Sequence, residues 1–422
     1  MPATPADFAI FDDYLDGPAD HPVGVAVSGG GDSVALLYAL HLWGKRRLEV
    51  FCVDHDLNPA SGEWTQSVRI HADRTGAGFT ALHWAGPKPK TGLSAAARQA
   101  RHALIADAAR QNGIRVVCLA HTQDDIAEAK LMAQEGSNVG APAIWAPSPA
   151  WPQGRGVFLF RPFLHQRRRA LRDWLTAQAI GWIDDPANEN PASLRARARR
   201  KLADFEPYET VMSHAPSPAD LPQLIRDTDT LGALGMIVFD GAVFDALPKA
   251  IARRRLSAAA VSAGGGNLLP SSESVARLHD TLSGDAVATL SGARIQRVGG
   301  RIEIVREAGE FARHGLLPTE LRADSDTMWD GRFSLRSDRP GRVGPMLDIR
   351  PDLDDRDRTA LKAFPAALRT VLPAVEFEDG RKALPWDRHG TEFACWVLPR
   401  FLAASGAFSR ESDLCDAAPK PL

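Results

Sequence analysis

Residues 23–27 (VGVAV) form a short apolar, β-branched run that breaks into SGGGDS at 28–33. Apolar side chains then recur at Val34, Leu36, Leu37, Leu40 and Leu42, the pattern of a buried helix. LEVFCVDH (48–55) reads as a second strand, 62–76 as a helix and FTALHW (79–84) as a third strand. A polar Pro/Gly loop (85–93) leads into Ala-rich 94–111, helical by propensity and closed by Asn112-Gly113. VVCLAH (116–121) is a fourth strand, and 124–134 opens another helix. Leu171, Trp174 and Leu175 give 167–180 an inward helical face. Strands alternating with helices of this length require crossover connections, so the first part of the chain is α/β with a parallel sheet.

Active sites of such sheets lie beyond the C-terminal strand ends. Three polar clusters fall there: SGGGDS after the first strand, Asp54-His55 after the second, and His121 with Asp124 and Asp125 after the fourth. Each alone is compatible with a structural turn; their coincidence at one edge points to a site. A strand that ends in Ser28-Gly29-Gly30-Gly31-Asp32-Ser33 and enters a helix is a phosphate cradle. Its glycines let backbone N–H groups approach an anion, and the helix N-terminus adds positive charge. Ser28 and Ser33 offer hydroxyl donors, and Asp32 suits Mg²⁺ bridging to phosphate. The plain alternative is a Gly-rich turn with a capped helix. No Lys follows the glycines and the pattern is not G-x-G-x-x-G, which argues against a Walker loop and a dinucleotide fold.

Glu128 shares a helix face with Asp124 and Asp125, a cluster suited to Mg²⁺ or an ammonium group, or simply to an acid-rich first helical turn. Arg98 and Arg101 lie three apart on one helix face, set to meet phosphates or simply solvent; His55 is a nucleotide contact or a strand-end surface residue. Residues 155–201 carry ten Arg and one Lys against four acids, a local +7 in a chain of net charge −2. RARARRK (195–201) would put Arg195, Arg197 and Arg199 on one side if extended and spread them if helical. One sign dominates, so the segment reads as a phosphate footprint for RNA.

Composition narrows the class. Hydrophobic residues make up 44% and charged residues 24% of 422, as in globular proteins. No apolar run reaches the ~18 residues of a membrane span. The acidic start MPATPADFAIFDDYLDG does not read as a secretory signal. Cys52, Cys118, Cys395 and Cys415 are scattered, as expected of a reduced, cytoplasmic protein without a cysteine-held metal. Pro/Gly-rich 136–156, with Trp145 and Trp151, reads as a mobile loop over the site, 205–222 as a linker, Gly299-Gly300 as a hairpin, and ESDLCDAAPKPL as a disordered tail.

S-G-G-x-D-S after an N-terminal strand resembles the PP-loop of the N-type ATP pyrophosphatases. SGGGDSVALL (28–37), VDHDLNPAS (53–61), AAARQARH (95–102), AHTQDDIAEAKLM (120–132), FRPFL (160–164) and DDPANENPASLRARARR (184–200) together resemble the tRNA(Ile)-lysidine synthetase family. The resemblance is weaker in 249–307 and in MWDGRFSL (328–335). It implies a PP-loop ATP-binding catalytic domain (1–205), a mainly helical middle tRNA-contacting domain (206–310) and a small α+β C-terminal tRNA-binding domain (311–422). It implies a ligase that uses ATP and Mg²⁺ to adenylate the C2 oxygen of the wobble cytidine in a CAU-anticodon isoleucine tRNA. Free L-lysine then displaces AMP. The protein is expected off the membrane, and a homodimer is compatible with the reading. The implied roles are ATP binding by Ser28–Ser33, Asp54 and His55; metal binding by Asp32 and Asp124; catalysis by Asp32, Arg98, His121, Asp125 and Glu128; and tRNA binding by Arg101, Arg161, Arg168, Arg195, Arg197 and Arg199. Departures from the family pattern are Asp56 for Gly, Ala129 for Thr, Glu135-Gly136-Ser137 for Arg-Gly-Ser and Ala187 within D-P-x-N. A PP-loop tRNA thiolase and a noncatalytic RNA-binding paralogue are the competing readings.

Overall fold

The apolar runs of the first half become strands of one sheet. The structure, a computed structural model, describes residues 7–136, 140–185, 194–203, 218–282, 286–314, 318–346, 352–386 and 390–419. The chain divides into two units, Met1–His214 with Ser409–Leu414, and Ala215–Phe408 with Cys415–Leu422.

The first unit runs α1 (Ala9–Tyr14), β1 (Val23–Ala26), α2 (Gly31–Trp43), β2 (Leu48–Asp54), α3 (Ser61–Thr75), β3 (Gly78–His83) and α4 (Leu93–Gln111). β4 (Val116–Cys118), α5 (Gln123–Gln134), β5 (Trp145–Pro147), β6 (Phe158–Phe160), α6 (Arg168–Ala177) and α7 (Leu194–Ala203) follow. The sheet order is β3-β2-β1-β4-β6-β5, parallel except for edge strand β5. Val50, Phe51 and Cys52 are consecutive and all buried, so helices cover both faces. β1 pairs with β2 on one side and β4 on the other. The switch point therefore lies between β1 and β4, with SGGGDS and His121–Asp125 on its rim.

Two expectations fail in this unit. Trp145 is no mobile-loop residue: it sits in β5, stacked on Phe158 at 5.5 Å, because Trp145–Pro147 finds an edge partner in β6. Residues 137–139 of that segment lie outside the described residues. Nor is the start of the tail disordered. Glu411–Asp416 is a 3₁₀ helix whose Glu411 carboxylate accepts Arg46 Nη1 and Nη2, both at 2.9 Å, in a pair shut off from water.

In the second unit, Ile225–Arg226, Ile237–Asp240, Arg301–Arg306, Ala293–Val298 and Val287–Leu290 form a five-stranded sheet in that spatial order. Gly299 and Gly300 (φ +54° and +78°) make the expected two-residue hairpin turn. One apolar core extends from Leu221 through Ile304 and Trp329 to Phe401, so the expected division at 310 falls inside a continuous core. The MWDGRF segment supplies its polar pin: Asp330 accepts both Arg332, which is fully buried, and Arg306. Among the described residues no helix is long and apolar enough to cross a membrane.

Candidate active site

β1 ends at Ala26, and the chain passes through Ser28–Gly30 into α2. Gly29 stands at φ +87°, a conformation that favours glycine. Its carbonyl accepts the Ile183 N–H at 2.9 Å. Ser33 Oγ donates to the Gly30 carbonyl (2.8 Å) and accepts the Ser28 N–H (3.2 Å). The Ser33 hydroxyl therefore braces the loop, a correction to its expected role as a phosphate donor. No group among the described residues accepts the N–H of Gly29 or Gly30. Those of Gly31 and Asp32 open α2, where no intrahelical acceptor exists. Successive free N–H groups at a helix N-terminus make an anion nest.

α5 starts beside this nest. Asp125 Oδ2 accepts the Thr122 N–H (2.8 Å) and Oγ1–H (2.9 Å), which fixes the helix start. Asp124 Oδ2 accepts the backbone N–H of Arg168 at 2.8 Å and so caps α6. The Arg168 guanidinium then enters the acidic cluster. It lies 3.0 Å from Asp32, 2.9 Å from Glu128 and 3.4 Å from Asp125. Burial works against its charge, but Asp125, Glu128 and Asp32 together lift its pKa above the ordinary arginine value. Glu128, 1% exposed, also meets Arg195 (2.9 Å) and Arg199 (2.8 Å). α7 is helical, so Arg195 and Arg199 share a face at i,i+4 and Arg197 lies exposed on another. The sequence reading placed Arg168, Arg195 and Arg199 on tRNA phosphates. The structure turns them inward onto carboxylates instead, because a buried acid requires a counter-charge.

On the other side Arg161 Nε donates to His121 Nδ1 at 3.1 Å, and its Nη1 to the Ala143 carbonyl at 2.8 Å. His121 is thus neutral, with its proton on Nε2. Burial and the Arg161 charge bring its pKa down to about 3. Burial, helped by Arg101 and Arg98, brings buried His102 to about 2. Arg101 and Arg161 themselves fall to about 10, chiefly from burial and then from neighbouring arginines. Arginines crowded against one another are a seat for a polyanion.

Asp54 Oδ1 is engaged within its own turn, accepting the Asp56 N–H at 2.8 Å. His55 packs edge-on to Trp84, with Nδ1 buried and unpartnered. Asp32 Oδ2 meets Arg168, whereas Oδ1 is buried with no partner, an acceptor that fits a cation. Burial raises the Asp32 pKa and Arg168 opposes it. Magnesium usually takes one or two carboxylates plus substrate phosphates, and Asp32 beside the nest matches that donor set. Asp124 instead caps α6, and among the described residues no group of three or more His, Cys, Asp or Glu could hold a metal.

Residues 9–206 match the family model of the PP-loop domain. A tRNA(Ile)-lysidine synthase from Caulobacter vibrioides is 37% identical over 418 residues, 96% of this chain and 98% of that one. This chain belongs to the tRNA(Ile)-lysidine synthase family. It is accordingly a PP-loop enzyme of lysidine formation. The synthase of Hyphomonas neptunium is 44% identical over 191 residues, covering 43% of this chain and 51% of that one. That of Mesorhizobium japonicum is 32% identical over 386 residues, covering 84% and 83%. A solved U34-tRNA thiolase from Methanococcus maripaludis aligns at 13% identity over 46% of this chain and 70% of that one, with a TM-score of 0.38.

Within the lysidine synthase pattern, the local departures acquire reasons. Asp56, where the family has Gly, adopts φ +53° and is held by the Asp54 bond, one of the few ways a side-chain-bearing residue occupies that region. Glu135, a reversal of the family Arg, meets Lys201 of α7 at 2.5 Å, so the reversed charge has its own opposite. Ala129 is buried at 4% exposure with no polar group to satisfy. Ser137 and Ala187 lie outside the described residues. Residues the sequence did not single out are Trp182 and Ile183, which pack against the cradle beside Arg172 of the basic segment. The only signal for them was proximity to the D-P-x-N stretch.

Proposed function

We propose that the chain ligates lysine to C2 of the wobble cytidine of a CAU-anticodon isoleucine tRNA, in two steps at the β1/β4 switch point. The single observation that carries this reading is the anion nest at Gly29–Asp32 placed against a cluster of arginines and carboxylates. The nest N–H groups hold the triphosphate, and Arg98, Arg101 and Arg161 offset its charge. Asp32 would hold Mg²⁺, which neutralises phosphate charge when bound. The cytidine C2 oxygen forms a bond to the α-phosphorus, and the bond from that phosphorus to pyrophosphate breaks. In the second step the lysine amine, having lost a proton, forms the C2–N bond, and AMP leaves with the C2 oxygen. Burial opposes ionisation of Asp125, but the charges of Arg168 and Arg195 hold its pKa below the usual range. Asp125 and Glu128 thus offer negative charge to the incoming ammonium, in competition with Arg168. Neutral His121, clamped by Arg161, orients this side of the site. Arg197 and Arg200, both exposed on α7, are the arginines of that helix that we assign to tRNA phosphate.

The test is Asp32→Ala: pyrophosphate release from ATP in the presence of tRNA should vanish while tRNA binding persists. Near-normal release would contradict the assignment of Asp32.

A further inference from the structure

The stretch Ile180–Ile183 crosses the mouth of the cradle. The Ile183 N–H holds the Gly29 carbonyl at 2.9 Å. In a trans peptide the C=O and the following N–H point in opposite directions, so this bond directs the Gly30 N–H away from residue 183. Gly30 has room beside it: a Cβ there would meet nothing nearer than Ser28 Oγ at 3.7 Å and the Ile183 carbonyl oxygen at 4.0 Å. Over Gly29 there is no such room, since Ile183 Cδ1 lies 2.5 Å from where a Cβ would stand. Trp182 covers the next residue, its Cδ1 3.4 Å from the corresponding point of Gly31. Cγ follows at 3.5 Å, so the Cγ–Cδ1 edge of the indole lies against the start of α2, with Nε1 one bond beyond Cδ1. That Nε1 is buried with no partner.

Arg172 completes the arrangement. Its Cγ is also 3.4 Å from the Gly31 point, its Cζ is 5.9 Å from the Trp182 ring, and its Nη2 meets Asp184 at 3.1 Å. Its Nε is buried and unpartnered as well. Two unsatisfied donors, Trp182 Nε1 and Arg172 Nε, and one unsatisfied acceptor, Asp32 Oδ1, therefore flank a single glycine of the cradle. Buried polar groups without partners are rare in folded proteins, and a cluster of them marks a place for a ligand. Donors belong with phosphate oxygens and the acceptor with a cation.

We propose that Trp182 is a positioning residue for the triphosphate of ATP: its indole N–H and Arg172 hold the phosphates, while the Ile183 N–H locks the peptide that aims the Gly30 N–H. The inference rests on the ATP-dependent reading above and adds to it the residues that set the affinity for ATP.

Trp182→Phe keeps an aromatic ring over Gly31 and removes only the donor. A hydrogen bond to a charged group is worth roughly 10–100-fold in binding. In Trp182→Phe, the KM for ATP should rise ~10-fold, with the KM values for lysine and tRNA and the melting temperature near those of the parent protein. Calorimetric titration of the nucleotide with neither lysine nor tRNA present should show the same loss. The chain has 10 Trp residues, so the parent-minus-variant fluorescence isolates Trp182, and it should change on adding ATP. An unchanged ATP affinity, an equal loss for all three substrates, or a difference signal indifferent to ATP would each overturn the proposal. Failure of the parent protein to form lysidine, with ATP titration intact, would instead count against the proposed reaction and leave the Trp182 comparison valid.

Discussion

Lowering the pH should strain the first unit through its histidines. His102 is 5% exposed, its Nε2 is unpartnered, and it lies among Arg101, Arg98 and Arg161. Its folded pKa, about 2, lies far below the 6.5 of an unperturbed histidine. The unfolded chain therefore binds the extra proton at any pH between those values. Stability is lost as pH falls below 6.5, and the loss continues until the folded group itself titrates near 2. Each pH unit costs about 1.4 kcal/mol per histidine, so between pH 6.5 and 5.0 His102 contributes a loss of about 2 kcal/mol. His121, lowered to about 3, adds a similar amount. The assay is urea unfolding of the parent and His102→Leu at pH 7.0 and 5.0. The variant removes one titrating group, so the two proteins should diverge by about 2 kcal/mol over that range, the variant being the less acid-sensitive. Carboxylates titrate in both and cancel in the comparison. Parallel losses in the two proteins would refute the claim that His102 is held neutral beneath the arginines.

Three further outcomes follow from the same geometry. Glu128→Gln removes the counter-charge of Arg168, Arg195 and Arg199; each arginine is partly hydrated, so the expected loss is the lower end of a broken buried pair, about 3 kcal/mol, measured by denaturant midpoint. Arg197→Glu should weaken tRNA binding and reduce the slope of log K against log salt by about 1, with ATP affinity unchanged; an unaltered slope would return Arg197 to ordinary surface. Asp56→Gly should fold with a stability change within about 1 kcal/mol, since glycine relieves the positive φ but loosens the unfolded chain and loses no contact beyond its own turn. A loss above about 3 kcal/mol by thermal melting would mean the Asp56 side chain has a partner there.

Much of the first unit was legible because its strands are short β-branched runs stopped by glycine or polar residues, and its helices carry clear stop signals. Gly113 at φ +67° closes α4 where Asn112-Gly113 said it would, and Leu171, Trp174 and Leu175 are buried as their spacing required. The cradle was legible for the same reason: few sequences need three consecutive glycines before an Asp. The arginines were not. Composition located the positive patch, but whether Arg195, Arg197 and Arg199 lie together depends on the 194–203 helix and on which face meets Glu128. The tail misled because ESDLCD has few apolar residues, and its order comes from long-range contacts: the Arg46–Glu411 pair, Ser412 bonded to Asp16, and the Leu414 carbonyl accepting Arg115. Trp182 had no periodic signal at all, since its role depends on a loop returning to Gly31. In the second unit the strands were visible in part, but a core continuous from Leu221 to Phe401 is a property of packing that no local pattern announces.

The central claim is that the Ser28–Ser33 cradle and the Asp32/Asp125/Glu128 cluster together join lysine to RNA at the expense of ATP. The most direct measurement combines the purified protein with ATP, Mg²⁺, radiolabelled lysine and a CAU-anticodon isoleucine tRNA, and counts label retained in the RNA. Label in the tRNA, dependent on ATP and absent with Asp32→Ala, is the predicted result. Unlabelled tRNA from folded protein that binds both ATP and tRNA would contradict the account.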